Sequence, residues 1–228
     1  MKIRTDEILL ERLDEESSWR KRELAALSNT LSRLHLKDTA SNRIFPEARS
    51  AILLSYAHLE GFIKTSSRLY VERVFHKKRP LSQLAANIRA LACRDLFIDA
   101  GAATKQITVH LKLIDSLTSK SASSGAISPA RVIDTYSKLD KSTFENICLS
   151  IGLNYDRDWA ELGHLLQDLY TVRCEIAHGE RIHPKIKEAT DAASLAIRTI
   201  DKYKDAVMNL AVTKGFMKAR PLVSSRIP

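Results

Sequence analysis

Between Asp6 and Lys37, the residues Leu10, Leu13, Ser17, Arg20, Leu24, Leu27, Leu31 and Leu34 recur at alternating intervals of three and four. A helix returns to one face at that interval, so the spacing predicts one long helix with a heptad seam interrupted by two polar residues. Some 30 residues at 1.5 Å each extend ~45 Å, long for a compact domain. Such a helix projects, pairs with a partner, or braces the rest of the fold, and ordinary helix packing favours bracing. Punctuation is thin everywhere: 7 Gly and 6 Pro among 228 residues, with 44% apolar and 28% charged. That balance points away from sandwiches and barrels and toward an all-α fold.

Pro46 suits the first turn of a second helix reaching about Lys78, with Ile52, Tyr56, Leu59, Phe62, Ile63 and Leu69 on its apolar face and Pro80 as its stop. Apolar-periodic stretches at Leu81–Cys93 and Lys105–Leu117 predict shorter helices. Ser116–Pro129 is rich in serine and reads as an internal loop, followed by helical pieces at Pro129–Lys138 and Ser142–Ile151. Asp156 or Asp158 predicts the N-cap of the next helix, Asp158 with Glu161 as a capping box. That helix should end near His178, where Gly179 supplies the stop. Pro184 opens a last helix through Ile186, Ala189, Ala193, Ile197, Ile200, Tyr203, Val207 and Leu210, giving an antiparallel hairpin. The expected organisation is a long N-terminal helical extension (1–45), a helical domain (46–212) and a frayed basic tail (213–228).

Lys and Arg total 36 against 27 Asp and Glu, a net charge of +9. This favours polyanionic partners, nucleic acid or acidic lipid headgroups. Cys93, Cys148 and Cys174 are widely spaced with no CxxC, so a disulfide framework or zinc site is not expected. The charged start Met1–Glu7 lacks the apolar run of a signal peptide, and no stretch reaches the ~18 apolar residues of a membrane span. The expectation is a cytoplasmic protein with no membrane association and no cofactor or metal.

The penultimate helix carries an anomaly. Leu162, Leu165, Leu166, Leu169, Val172 and Ile176 form one stripe, and Arg173 lies within it, only ~40° from Leu169. A guanidinium there must snorkel, find an acid, or face a groove or partner. His178 follows at the helix end, where it serves either as a structural cap or as a proton-transfer group. Positions i and i+5 stand ~140° apart on an ideal helix, poor for a site within one chain, although the helix end relaxes that angle.

The stretch Arg173-Cys174-Glu175-Ile176-Ala177-His178-Gly179 resembles the R-x4-6-H motif of the HEPN superfamily. Ser55-Tyr56-Ala57-His58-Leu59-Glu60-Gly61-Phe62-Ile63-Lys64 resembles an early-helix motif of its RiboL-PSP-like nuclease branch. The resemblance implies a helical bundle that pairs through its motif face into a homodimer with a composite, metal-independent ribonuclease site. Toxin and phage-defence systems often use such enzymes, some with an antitoxin or other partner protein. It makes Arg173 and His178 the catalytic pair, the first holding the scissile phosphate and the second moving a proton during attack by the RNA 2′-hydroxyl. Glu60, beside the apolar face, is the candidate supporting acid that orients Arg173, or else an ordinary exposed carboxylate. His58 and His110 read as structural; Glu175 and Glu180 sit unfavourably near a helix C-terminus, a weak hint of function. Family members commonly have Asn or Asp where Cys174 stands, and some toxins have a modified Tyr where Glu180 stands. The rival readings are a HEPN-fold module that binds RNA or protein without cleaving, and a basic helical adaptor dimerising through the Leu10–Leu34 seam.

Overall fold

Three long helices carry most of the apolar periodicity, and they pack against one another. The computed structural model describes residues 2–37, 46–103, 106–118 and 132–218. Among them are nine α-helices: α1 (Asp6–Lys37), α2 (Pro46–His76), α3 (Ala86–Ala92), α4 (Arg94–Ala102), α5 (Ile107–Thr118), α6 (Lys141–Ile151), α7 (Tyr155–Asp158), α8 (Ala160–Ala177) and α9 (Ile186–Val212). The described residues contain no strand; Leu84 and Met217 form an isolated antiparallel bridge. No described helix is long and apolar enough to cross a membrane.

The centre of the molecule is α2, packed by α1, α9, α8 and α6. Its buried positions, among them Ile52, Tyr56, Leu59, Phe62, Tyr70 and Val74, form a broad stripe along its length, flanked mostly by half-buried residues. Ala189, Ala193 and Ala196 line the face of α9 at helical spacing, followed by Ile200, Tyr203 and Val207, all fully buried. Lys21 pairs with Asp201 at 2.6 Å and Lys204 with Asp14 at 2.9 Å, tying α1 to α9. Arg73 of α2 grips the start of α1 through Asp6 at 2.7 Å. α1 therefore braces the bundle.

Several local expectations change. Leu9 is fully buried and Leu10 is 41% exposed. Leu9 lies ~40° from the line through Leu13 and Leu31 and Leu10 ~60° on the other side, so the first seam residue is Leu9. The side chain of Leu34 lies outside the described residues. Leu81–Cys93 splits into a 3-10 turn, Leu81–Gln83, and α3. The helix expected from Pro129 to Lys138 is absent over the described residues 133–138. There the Asp134 side chain accepts the Tyr136 N–H at 3.1 Å, an alternative to a helical hydrogen bond. The serine-rich loop beyond Thr118 lies outside the described residues.

The cap of α7 is Asn154, which accepts the Arg157 N–H at 3.2 Å. Neither Asp156 nor Asp158 caps a helix; Asp158 pairs with Arg157 at 2.8 Å, and α8 begins after Trp159 with no side-chain cap. Residues 213–218 of the tail pack against the bundle: Phe216 is 2% exposed, its carbonyl accepts Ala85 N–H at 2.9 Å, and Lys218 N–H donates to the Gln83 carbonyl at 2.8 Å. An aromatic ring that can be buried outweighs the fraying expected of a charged terminus. Residues 219–228 of that tail lie outside the described residues.

Candidate active site at the end of α8

The end of α8 is built as the sequence requires. Gly179 has φ +79°, the left-handed geometry that favours glycine. Its N–H bonds the Ile176 carbonyl at 3.1 Å, and Glu180 N–H bonds Glu175 at 3.0 Å, the paired bonds of a Schellman stop. Arg49, in the first turn of α2, donates to the carbonyls of Glu180 at 2.8 Å, Ile182 at 3.0 Å and Ile176 at 3.5 Å. A fixed cation satisfying those carbonyls also suits the negative end of the α8 dipole. His178 is the cap residue between these anchors, its N–H on the Cys174 carbonyl at 2.9 Å and its imidazole exposed.

Arg173 is half-buried on the α2 side of α8, its guanidinium 5.2 Å from the centroid of the Tyr56 ring. Of the three fates open to a guanidinium in an apolar stripe, it takes an aromatic face and an open side, with no carboxylate partner among the described residues. Its Nη1 also lies 3.8 Å from the Cys174 sulfur. Tyr170 completes this surface, its ring 5.9 Å from that of Tyr56.

Tyr56 is the hub. Its hydroxyl accepts the Leu139 N–H at 2.6 Å, and burial, reinforced by the charge of Glu60, pushes its pKa far up, so it stays a neutral phenol. Glu60 stands at this site, but its carboxylate receives the Thr135 hydroxyl rather than the Arg173 guanidinium. The two residues thereby hold segment 132–140, whose ends are also fixed by Lys64–Asp134 at 2.7 Å and by Asp140, the N-cap of α6. Burial would push the Asp140 carboxyl up, but the Thr143 N–H, Lys138 and Ser142 outweigh it and hold the group at about 2. Lys138, exposed, pairs with Asp140 at 3.1 Å and raises the positive potential beside Tyr170 and Cys174.

The other half of the α2 motif faces α1. His58 is buried with its Nε2 3.2 Å from Glu23 and its ring 5.2 Å from that of Trp19. At Gly61 an added Cβ would stand 3.3 Å from Arg20, whose guanidinium lies in that gap and pairs with Glu16. The two polar interruptions of the α1 seam are thus accounted for: Ser17 turns back onto the Asp14 carbonyl at 3.1 Å, and Arg20 fits against a glycine. His110 bonds the Ala100 carbonyl at 3.0 Å, away from this site.

The structure brings Arg173, Tyr56 and Glu60 together and places His178 at the adjoining helix end. No hydrogen bond joins Arg173 to His178 within the chain, as the ~140° between i and i+5 anticipates. Among the described residues no group of three or more His, Cys, Asp or Glu is placed to hold a metal ion. Arg49, Thr135 and Lys138 were not among the sequence candidates. Arg49 meets carbonyls 127 to 133 residues away, and no local pattern announces such a contact.

A HEPN domain is a helical fold, and this chain is an all-helical bundle among its described residues. The RiboL-PSP-HEPN family profile matches residues 15–209, and the chain belongs to that family. Comparisons with curated proteins and with solved structures each found no match. HEPN domains are often ribonucleases, and the family match suggests a nuclease or RNA-binding module.

Proposed function

We propose that this chain is a metal-independent endoribonuclease of the toxin or phage-defence type, acting in the cytoplasm as a homodimer. The observation that supports this reading best is Arg173: a guanidinium on an otherwise apolar stripe, stacked on Tyr56, with no described carboxylate to neutralise it. An open cation of that kind binds a phosphate and stabilises the charge that develops on it. His178 takes or gives the proton as the RNA 2′-hydroxyl attacks phosphorus and the bond to the 5′-oxygen breaks. The products are a 2′,3′-cyclic phosphate and a 5′-hydroxyl. In the dimer, the Arg173 of one protomer works with the His178 of its partner across the two-fold axis, which removes the angular mismatch within one chain. Glu60 acts at one remove, by fixing Tyr56 and segment 132–140. An antitoxin or other defence-system protein is the expected partner.

The test is incubation of purified protein with mixed cellular RNA, with and without EDTA, followed by analysis of the ends. Cleavage in EDTA with cyclic phosphate ends supports the reading. RNA binding without cleavage replaces it with a HEPN interaction module.

A further inference from the structure

Tyr136 is 75% exposed, more than any other large apolar or aromatic side chain described, and it stands on backbone that holds it there at a cost. Tyr136 and Ser137 have φ of 51° and 56°, the left-handed region that residues other than glycine seldom occupy. Each such residue costs on the order of 1 kcal/mol and persists only when its surroundings impose it. Here they do: Asp134 is held by Lys64 at 2.7 Å and accepts Tyr136 N–H at 3.1 Å, Thr135 is buried on Glu60, and Leu139 N–H is fixed on Tyr56 at 2.6 Å. The segment is pinned on both sides of an aromatic ring that is three-quarters exposed.

The location gives the ring a use. Leu139 is anchored to the same tyrosine that carries Arg173, and Tyr136 is three residues earlier, within ~11 Å of that anchor even if the chain were fully extended. Lys138, exposed on the same turn and paired with Asp140 at 3.1 Å, adds a cation toward Tyr170. A rigid aromatic beside cations is how proteins hold single-stranded nucleic acid: the base stacks on the ring and the backbone follows the charge.

We infer that Tyr136 is a stacking platform for an unpaired RNA base next to the phosphate held by Arg173, with Lys138 contacting the backbone of the same nucleotide. This rests on the ribonuclease reading and adds to it a substrate class, single-stranded RNA with an unstacked base at that position. Stacking tolerates any base, so the platform selects single strands over duplexes rather than a sequence.

The experiment measures fluorescence anisotropy of the full chain with labelled 2′-O-methyl oligoribonucleotides, which cannot be cleaved, single-stranded and as a hairpin. Tyr136→Ala should weaken single-strand binding by about 5- to 100-fold, the loss typical of one base–aromatic stack, while Tyr136→Phe and Tyr136→Trp should hold it. The salt dependence should be unchanged in Tyr136→Ala and shallower by about one ion in Lys138→Ala. Circular dichroism of Tyr136→Ala should match wild type, since the ring is not part of the core. Equal binding by wild type and Tyr136→Ala overturns the platform and leaves the ribonuclease reading standing. Loss in Tyr136→Phe as severe as in Tyr136→Ala overturns stacking in favour of a hydroxyl contact. Failure of the wild type to bind RNA removes both.

Discussion

Tyr56 supports the site in two separable ways, with its ring under Arg173 and with its hydroxyl on Leu139 N–H. Tyr56→Phe keeps the ring but leaves a buried N–H unpaired, at an expected cost of about 1–3 kcal/mol in urea unfolding. Arg173 offers a sharper contrast. A lysine there would keep the charge yet lose the planar fork and its stacking on Tyr56, so Arg173→Lys should recover little of the cleavage lost in Arg173→Ala. His58 carries the pH dependence of the α1–α2 contact. Burial pushes its pKa below the ordinary 6.5, outweighing the opposite pull of Glu23. The unfolded chain then binds the proton more readily than the folded one. The contribution of His58 to stability is therefore complete above pH ~6.5 and is lost as pH falls below it. Unfolding midpoints should drop from pH 7 to pH 5 in wild type, and the drop should shrink in His58→Gln.

At the scale of elements, the segment between Val132 and Asp140 and the end of α8 decide whether the site forms. Asp140→Ala removes the N-cap of α6 and should cost about 1 kcal/mol, with Asp140→Asn retaining most of it. Because the Asp140 carboxyl is held at about 2, its contribution is complete above pH ~4 and is lost as pH falls toward 2. Arg49→Ala should leave the bundle folded while the amides after His178 exchange hydrogen faster, since three carbonyls there lose their cation. The long helices were legible in sequence because their apolar faces repeat over many turns, and the Gly179 stop because a left-handed residue there needs glycine. Arg173 stood out for a local reason too, a charge in a stripe. What was hidden is what distant contacts create. Segment 132–140 is shaped by Tyr56 and Glu60, 83 and 75 residues earlier in the chain, and its own sequence reads as one more helical turn. Helix α4 was missed because its 9 residues make fewer than three turns, too few for an apolar period to show.

For the whole molecule, the +9 charge and an Arg173 with no carboxylate partner among the described residues suit a polyanion, and the proposed dimer sets how the two motif residues meet. Light scattering should find a dimer at working concentrations. Mixing and refolding the Arg173→Ala and His178→Ala variants together should restore roughly a quarter of wild-type cleavage, because half of the dimers then carry one intact composite site. A site contained within one chain would show no such recovery. The most direct measurement is single-turnover cleavage of RNA by the wild type and by His178→Ala, with fold and dimer checked in both. The account predicts a fall of about 10²–10⁴-fold, with DNA untouched because it lacks the attacking hydroxyl. Unchanged RNA cleavage by His178→Ala, or DNA cleaved at a comparable rate, would contradict it.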